Sequence, residues 1–433
     1  MAGDRYPISG KALTKANPVI LKKMGVDVSN AIEPPMLLMP VTFPEPKLDY
    51  DFIEGIKRLN IDYSIEGEDR LIRCHGQTLH DIHMLQAGKF SRIPDVVLWP
   101  VSHDEVVNIV KLANELNVVV IPHGGGTSVS GCATCPQDET DRCISVLDTS
   151  QMNRMLWLDK ESLVACFEAG VLGQDLERVL SSEGLILGHE PDSYEFSSLG
   201  GWVATRASGM KKNVYGNIED LVVQVKMVTS KGVLERNMTG PRVSCGPDFN
   251  QIILGSEGTL GVITEVLIKV RPLPPVKKYG SLVFPDFESG VKCLREIAKQ
   301  RCQPASIRLI DNEQFEFGQA LSDEDDFITS LKEKAKKFFL TWFKGYKWEN
   351  LAVATLFFEG TKDEVKHQEK LIFSIAKRFS GISAGESSGF KGYVRMIFFV
   401  NVDIILQFTL PDAHVCHSLY KSRSNYVVGH FMF

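Results

Sequence analysis

A chain of 433 residues with 44% hydrophobic and 24% charged residues has ordinary globular usage and room for roughly two or three domains, which excludes a disordered or fibrous protein. The formal net charge of −6 gives no electrostatic reason to bind nucleic acid. Nine cysteines, an odd number scattered along the chain, form no disulfide framework and fit a reducing compartment.

Met1 to Tyr6 contains Asp4 and Arg5 with no apolar segment after them, so no signal peptide is expected. Residues 1–90 read as an N-terminal extension. Pro94 to Trp99 then reads as a strand, and Ser102 with Glu105 three positions later predicts a capped helix carrying Val106, Ile109, Val110 and Ala113 on one face. Strands follow at Val118 to Ile121, Ile144 to Leu147 and Leu163 to Ala169, then a helix near Gln174 to Ser182, then strands at Leu221 to Val228 and Ile263 to Val270. Pro272, Pro274 and Pro275 break this pattern and place a domain boundary there.

The second unit repeats strand, helix and strand. Tyr279 to Phe284, Ser306 to Ile310 and Leu351 to Phe358 read as strands, and Phe287 to Lys299 and Lys362 to Arg378 as helices. Ser322 to Lys337 reads as a solvated helix with its loop. The most apolar run, Met396 to Leu410, is interrupted by Asn401 and Asp403 and falls short of the roughly 20 residues that cross a bilayer.

Three segments rich in small residues carry the chemistry. Pro122-His123-Gly124-Gly125-Gly126-Thr127-Ser128 follows a buried strand, and its glycines can turn successive backbone N–H groups into one concavity that accepts phosphate oxygens. The turn works through its backbone, which leaves the His123 side chain a bystander. It is not the dinucleotide fingerprint, because no Gly-x-Gly-x-x-Gly opens a helix. His189 to Asn217 is too polar and aperiodic for a buried helix or strand and reads as a long ligand-wrapping loop. Within it Gly200, Gly201 and Gly209 allow close backbone approach, and Ser193, Ser197, Ser198, Thr205 and Ser208 supply hydroxyls. Gly255 to Ile263 repeats the small-residue chemistry ahead of a strand. Together they read as the cradle of one large cofactor. Cys132 and Cys135 form a Cys-x-x-Cys pair near Cys143, but no second pair follows at zinc spacing, so no metal is expected. Lys211 and Lys212 read as a solvated turn.

These residues resemble the FAD domain of the vanillyl-alcohol oxidase flavoprotein family. The resemblance rests on Pro-x-Gly-Gly-Gly-Thr-Ser, Glu-Pro-Asp-Ser, Gly-Gly-Trp-Val-Ala-Thr-Arg-Ala-Ser-Gly and Gly-Ser-Glu-Gly-Thr-Leu-Gly. The runs Lys211 to Asp220 and Ile297 to Asp311 look like its ether-lipid synthase branch, and the likeness covers roughly Arg5 to Tyr393. It implies an α+β fold: a two-subdomain FAD-binding domain over 91–274, an incomplete α+β cap domain over 275–393 and a divergent tail over 394–433. FAD is the implied cofactor. Its contacts would come from Pro122 to Ser128, from Asp192, Ser193, Tyr194, Glu195, Phe196, Ser197 and Ser198, from Thr205, Arg206, Ala207 and Ser208, and from Glu257, Gly258, Thr259, Leu260, Gly261, Val262 and Ile263. Asp192 reads equally as a flavin contact or as a turn cap.

The implied reaction exchanges the acyl group of acyl-dihydroxyacetone phosphate for a long-chain fatty alcohol without net redox change, with the flavin holding the three-carbon phosphate while the acid leaves. Such chemistry asks the polypeptide for a phosphate clamp and a proton-transfer group. Arg308 is the candidate catalytic charge, because strand alternation puts Ser306, Arg308 and Ile310 on one face, where an arginine needs a ligand phosphate or a carboxylate such as Asp311. The resemblance also implies a peroxisomal enzyme at a peripheral membrane surface and leaves room for a homodimer, although the C-terminus is no Ser-Lys-Leu address. A catalytic tyrosine and a run of histidines that it places beyond Tyr393 have no match, since His414, His417 and His430 are isolated. Two alternatives to an ether-lipid synthase therefore stay open: an FAD-dependent 2-hydroxyacid dehydrogenase of the same superfamily, and a catalytically dead FAD-binding isoform.

Overall fold

A computed structural model describes residues 42 to 393 except 79, 82–83, 86–89, 91, 237–239, 241–243, 245, 321–341 and 343–344, together with residues 18 and 19. The readings for Ser322 to Lys337, for Met396 to Leu410 and for the tail 394–433 lie outside the described residues. The chain divides into two compact units between Leu273 and Pro274.

The first unit holds two sheets. Helix α1 (Tyr50–Arg58) starts where the Asp49 carboxylate accepts from the Phe52 N–H at 2.8 Å, and it buries Phe52, Ile53 and Ile56. After it β1 (Asp62–Ser64) runs antiparallel to β2 (Val96–Trp99). Residues read as an extension thus supply a helix and an edge strand of the first sheet. Helix α2 (His103–Glu115) opens on the expected cap: Ser102 Oγ accepts from Glu105 N–H and the Glu105 carboxylate accepts from Val101 N–H. Val106, Ile109 and Ala113 of α2 pack with α1 into one core, leaving Val110 only partly buried. With β3 (Val119–His123) and β4 (Ile144–Asp148) the sheet order is β1-β2-β4-β3, and β2, β4 and β3 are parallel.

A buried carboxylate locks this sheet to its flanking loops. Asp95, fully buried, accepts from both terminal nitrogens of Arg92 at 2.6 and 2.7 Å and from the backbone N–H groups of Lys47 and Ile144, each at 2.8 Å. Four donors on two oxygens satisfy the ion that burial would otherwise penalise.

The second sheet is antiparallel, ordered β5-β6-β10-β8-β9, from β5 (Met155–Asp159), β6 (Val164–Glu168), β8 (Val222–Thr229), β9 (Gly232–Leu234) and β10 (Val262–Lys269). One face, with Ala165, Phe167, Val266 and Ile268, packs under helix α3 (Gly173–Ser182) and helix α4 (Leu199–Thr205). A ribbon of β7 (Leu185–Ile186) and β11 (Arg271–Pro272) ties the end of α3 to the close of the unit.

The second unit is a four-stranded antiparallel sheet, β13-β14-β12-β15, built from β12 (Val276–Phe284), β13 (Ser306–Ile310), β14 (Ala352–Gly360) and β15 (Ile382–Ser383). Leu282 and Phe284 of β12 and Ala352, Ala354, Leu356 and Phe358 of β14 bury one face against α5 (Phe287–Lys299) and α6 (Lys362–Arg378). Thr361 and Glu364 form a capping box on α6. The architecture is the expected α+β fold: a first unit of two subdomains followed in the chain by an α+β unit.

Asp95→Ala is expected to lower the unfolding free energy by about 3 to 5 kcal/mol, because it strands the Arg92 guanidinium and two backbone donors. A urea titration followed by circular dichroism checks it, and a midpoint within error of the wild type would refute the account.

Candidate functional site

A cavity of about 330 Å³ opens inside the first unit, where the carboxyl end of β3 meets α4 and the start of β10. It is lined by Pro122 to Ser128 from the first segment, by Ser193, Ser197, Ser198, Thr205 and Ala207 from the second, and by Glu257, Gly258, Gly261, Val262 and Ile263 from the third. The sequence-predicted segments are therefore neighbours in space.

Hydrogen-only α-carbons let these walls meet. A Cβ on Gly125 would lie 1.8 Å from the Phe196 carbonyl oxygen, one on Gly124 2.2 Å from Ser198 Oγ, and one on Gly261 2.3 Å from the Val228 carbonyl oxygen. Gly126 takes φ +63°, which suits a glycine. The N–H groups of Gly125, Gly126 and Thr127 find no protein acceptor among the described residues. Three consecutive free donors at a cavity wall form an anion-accepting concavity.

The second wall departs from the sequence reading. The stretch read as loop throughout contains α4, with Ser198 Oγ accepting from Gly201 N–H at its start and Leu199, Trp202 and Val203 buried at helical spacing. A further helical turn spans Lys212–Tyr215. Two adjacent glycines and several hydroxyls disguise an ordinary capped helix whose buried face is only one turn long. Ahead of it the Ser193 carbonyl accepts from the N–H groups of Phe196 and Ser197 and from Ser197 Oγ, which in turn accepts from the fully buried Trp202 indole at 2.7 Å. That chain of bonds fixes where Ser197 and Ser198 stand.

Several candidates do not line the cavity. Asp192, Tyr194, Glu195 and Phe196 form the turn behind Ser197, with Tyr194 packed against the core of the second sheet. Arg206, with φ +50°, ends α4 and donates to Gln251 at 3.2 Å. Ser208, Thr259 and Leu260 also lie off the lining, and Thr259 Oγ1 donates to the Ser256 carbonyl. Sequence reasoning missed Val129, Ser130, Cys132 and Ala133, where the signal was the small-residue run continuing past Ser128, it missed Trp202, which stands within the second segment, and it missed Thr149 and Ala169, for which no local signal exists. Arg308 belongs to the second unit, on the sheet face away from α5 and α6, opposite Thr355 of β14; Ser306 and Ile310 share that face, as alternation requires. Asp311 accepts from the Gln314 N–H and so opens the helix Asn312–Ala320.

Charge is distributed unusually. The lining contains no lysine or arginine, and Glu257 is its one carboxylate. His123 is buried with neither ring nitrogen hydrogen-bonded, and desolvation lowers its pKa below the ordinary imidazole value. Lys211, read as solvated, is 1% exposed, pairs with Glu190 at 2.8 Å and lies over the Tyr215 ring, whose burial against Gly188 carries the lysine inward. Nearby, burial pushes the Glu177 carboxyl up to about 7, against the pull of Lys211 and the Gly188 N–H. His189, fully buried at the edge of Trp202, is pushed down to about 4 by burial.

Comparison with known proteins identifies this arrangement. A family model described as an FAD binding domain matches residues 94–237, and one described as the C-terminal domain of FAD linked oxidases matches residues 273–392. Alkyldihydroxyacetonephosphate synthase of Caenorhabditis elegans is 47% identical over 392 residues, which is 90% of this chain and 65% of that protein. A solved structure of an alkyldihydroxyacetonephosphate synthase superposes with a TM-score of 0.82 at 30% identity, covering 92% of this chain and 72% of that one. The chain belongs to the alkyldihydroxyacetonephosphate synthase family. It spans 58 to 65% of the length of the first curated synthases it matches. The mitochondrial cytochrome D-lactate dehydrogenase of Arabidopsis thaliana is 32% identical over only 241 residues, 55% of this chain, so the alternative dehydrogenase reading gives way to the synthase family.

FAD is the cofactor of this domain, and the cavity suits it. Backbone donors and hydroxyls, without a lysine, can face a pyrophosphate, and the apolar strip of Ala169, Trp202 and Val262 can face a ring system.

Gly125→Ala is expected to yield folded protein without the visible flavin absorbance of the wild type, because the added methyl drives Phe196 away from the glycine turn. Retained flavin at wild-type stoichiometry would contradict the close-approach argument. Glu177 gives a test by pH. Its folded pKa of about 7 exceeds the ordinary 4.5, so its contribution to stability is full below 4.5 and is lost as pH rises toward 7. Glu177→Gln should accordingly raise the melting temperature at pH 8 relative to wild type, with a smaller difference at pH 4.5; an equal difference at both values would refute the assignment.

Proposed function

We propose that this chain acts in ether-lipid synthesis, exchanging the acyl group of acyl-dihydroxyacetone phosphate for a long-chain fatty alcohol to give alkyl-dihydroxyacetone phosphate and a free fatty acid. The observation that carries the reading is identity with synthases running through both units, 90% of the chain, rather than through the flavin domain alone. Bound FAD would supply a ring able to hold the three-carbon phosphate while the fatty acid leaves, and the protein would position ring and substrate.

The residues divide this work. The N–H groups of Gly125 to Thr127, with Ser128, Ser197 and Ser198, hold the cofactor's phosphates, and the remaining lining residues of the three segments shape the rest of the cradle. Arg308 serves the substrate phosphate. Its support is its place on β13, a guanidinium opposite Thr355 on the sheet face that also carries Ser281 and Tyr279, away from α5 and α6. Planar bidentate donors suit a phosphate better than a lysine would. Resemblance further supports work at a peroxisomal membrane surface; among the described residues no helix is long and apolar enough to cross a membrane.

Incubating the purified chain with acyl-dihydroxyacetone phosphate and hexadecanol tests the reading. Alkyl product formation with a flavin spectrum is the expected outcome, and a flavin spectrum without product would favour a cofactor-binding isoform. Arg308→Ala should lower kcat/KM by roughly 10- to 100-fold, the cost of about one charged hydrogen bond, while leaving the spectrum unchanged. Unaltered kcat/KM would remove Arg308 from the site.

A further inference from the structure

We propose that Ser281 and Thr355 complete the substrate-phosphate site with Arg308, each donating its hydroxyl to a phosphate oxygen of acyl-dihydroxyacetone phosphate. The inference rests on the reading of Arg308 as the residue that serves this phosphate. Three observations carry it.

The first is register. Arg308 of β13 lies opposite Thr355 of β14, and Thr355 lies opposite Ser281 of β12, so the three form one row across three neighbouring strands. Ile310, Val353 and Val283 make the next row on one side, and on the other Phe357 and Tyr279 stand beside Ser306. Directly opposed side chains stand roughly 5 Å apart. An arginine can bend over the neighbouring strand, which puts one tetrahedral anion above Thr355 within reach of a guanidinium and two hydroxyls.

The second is the state of the two hydroxyls. Exposure falls along the row from the half-buried Arg308 on the edge strand to 5% at Thr355 and 2% at Ser281. Neither hydroxyl has a hydrogen-bond partner among the described residues. A hydroxyl left unpaired on a buried face costs stability, and it keeps a donor to offer a ligand.

The third is packing. The helical residues 386–393 close over this face, Phe390 and Tyr393 meeting the Tyr279 ring at 5.2 and 5.5 Å between centroids. Glycines let the helix come close: a Cβ on Gly389 would lie 2.4 Å from the Gly280 carbonyl oxygen, and one on Gly392 2.4 Å from Thr355 Cγ2. The helix thus meets Thr355 at its methyl group, and a valine would present the same methyl. Packing gives no reason for a hydroxyl at 355, whereas an anion does.

Equilibrium binding of palmitoyl-dihydroxyacetone phosphate, and of palmitoyl-dihydroxyacetone without the phosphate, to the purified full chain supplied with FAD tests the proposal. The proteins compared are wild type, Ser281→Ala, Thr355→Val, Thr355→Ser and Arg308→Ala. Ser281→Ala and Thr355→Val should each bind the phosphate ester roughly 10-fold more weakly, the loss of one hydrogen bond to a charged oxygen, and bind the phosphate-free ester as wild type does. Thr355→Ser keeps the hydroxyl and should restore most of that affinity, while Thr355→Val should melt no lower than wild type. Equal loss toward both esters overturns the proposal, because the residues would then shape the face without holding the phosphate. It is also overturned by wild-type affinity in Ser281→Ala or in Thr355→Val while Arg308→Ala loses the phosphate ester, a result that leaves Arg308 in its role. Wild type that binds the two esters alike, or Arg308→Ala that binds both as wild type does, overturns the reading of Arg308 itself and the proposal with it.

Discussion

Backbone passes backbone where the glycine turn after β3 crosses the turn before α4, and the site depends on that crossing. Gly125 sits so close to the Phe196 carbonyl that no Cβ fits, and Gly124 leaves the same absence of space to Ser198. Contact at this range brings N–H donors of one sheet's loop and hydroxyls of the other's into a single concavity. The chain from the Ser193 carbonyl through Ser197 to the Trp202 indole keeps the far side of the crossing from yielding. A cofactor clamp made of peptide groups needs no charge of its own, which explains a lining without lysine or arginine.

Elements with a repeating apolar period, such as α2 with its Ser102 cap and α6 with its capping box, could be read from the sequence because periodicity and cap agree. The helix α4 could not. Its Gly200-Gly201 pair has the worst helical propensity short of proline, and only burial of Leu199, Trp202 and Val203 against the second sheet overrides it. Lys211 misleads for a related reason: a lysine in a polar run reads as solvated, whereas a buried tyrosine and a glutamate twenty-one positions away decide its place. Residues 42–78 looked detached because β1 is three residues long and finds its partner thirty-five positions on.

The site was legible in type more than in detail. Small-residue runs announced where backbone would approach a ligand, and those runs converge on one cavity. Which members of a run face inward was not legible, since that follows from turn geometry: Ser193 and Ser197 face the cavity while the residues between them turn behind it. Thr149 and Ala169 arrive from strand ends, so nothing local to them signals a ligand. Resemblance supplied the cofactor's identity, which composition and spacing alone did not contain.

The strand order of the second sheet has a kinetic consequence. β10 lies between β6 and β8, so the turn from Gly255 to Ile263 cannot reach its wall until a strand made about a hundred residues after β6 has been inserted between two earlier ones. Contacts that distant form slowly, because loop-closure entropy must be met before pairing returns anything. Through most of synthesis the nascent chain therefore displays a glycine turn and a hydroxyl-rich helix start with no third wall. The third wall of the cavity thus depends on the last strand of the second sheet to be synthesised.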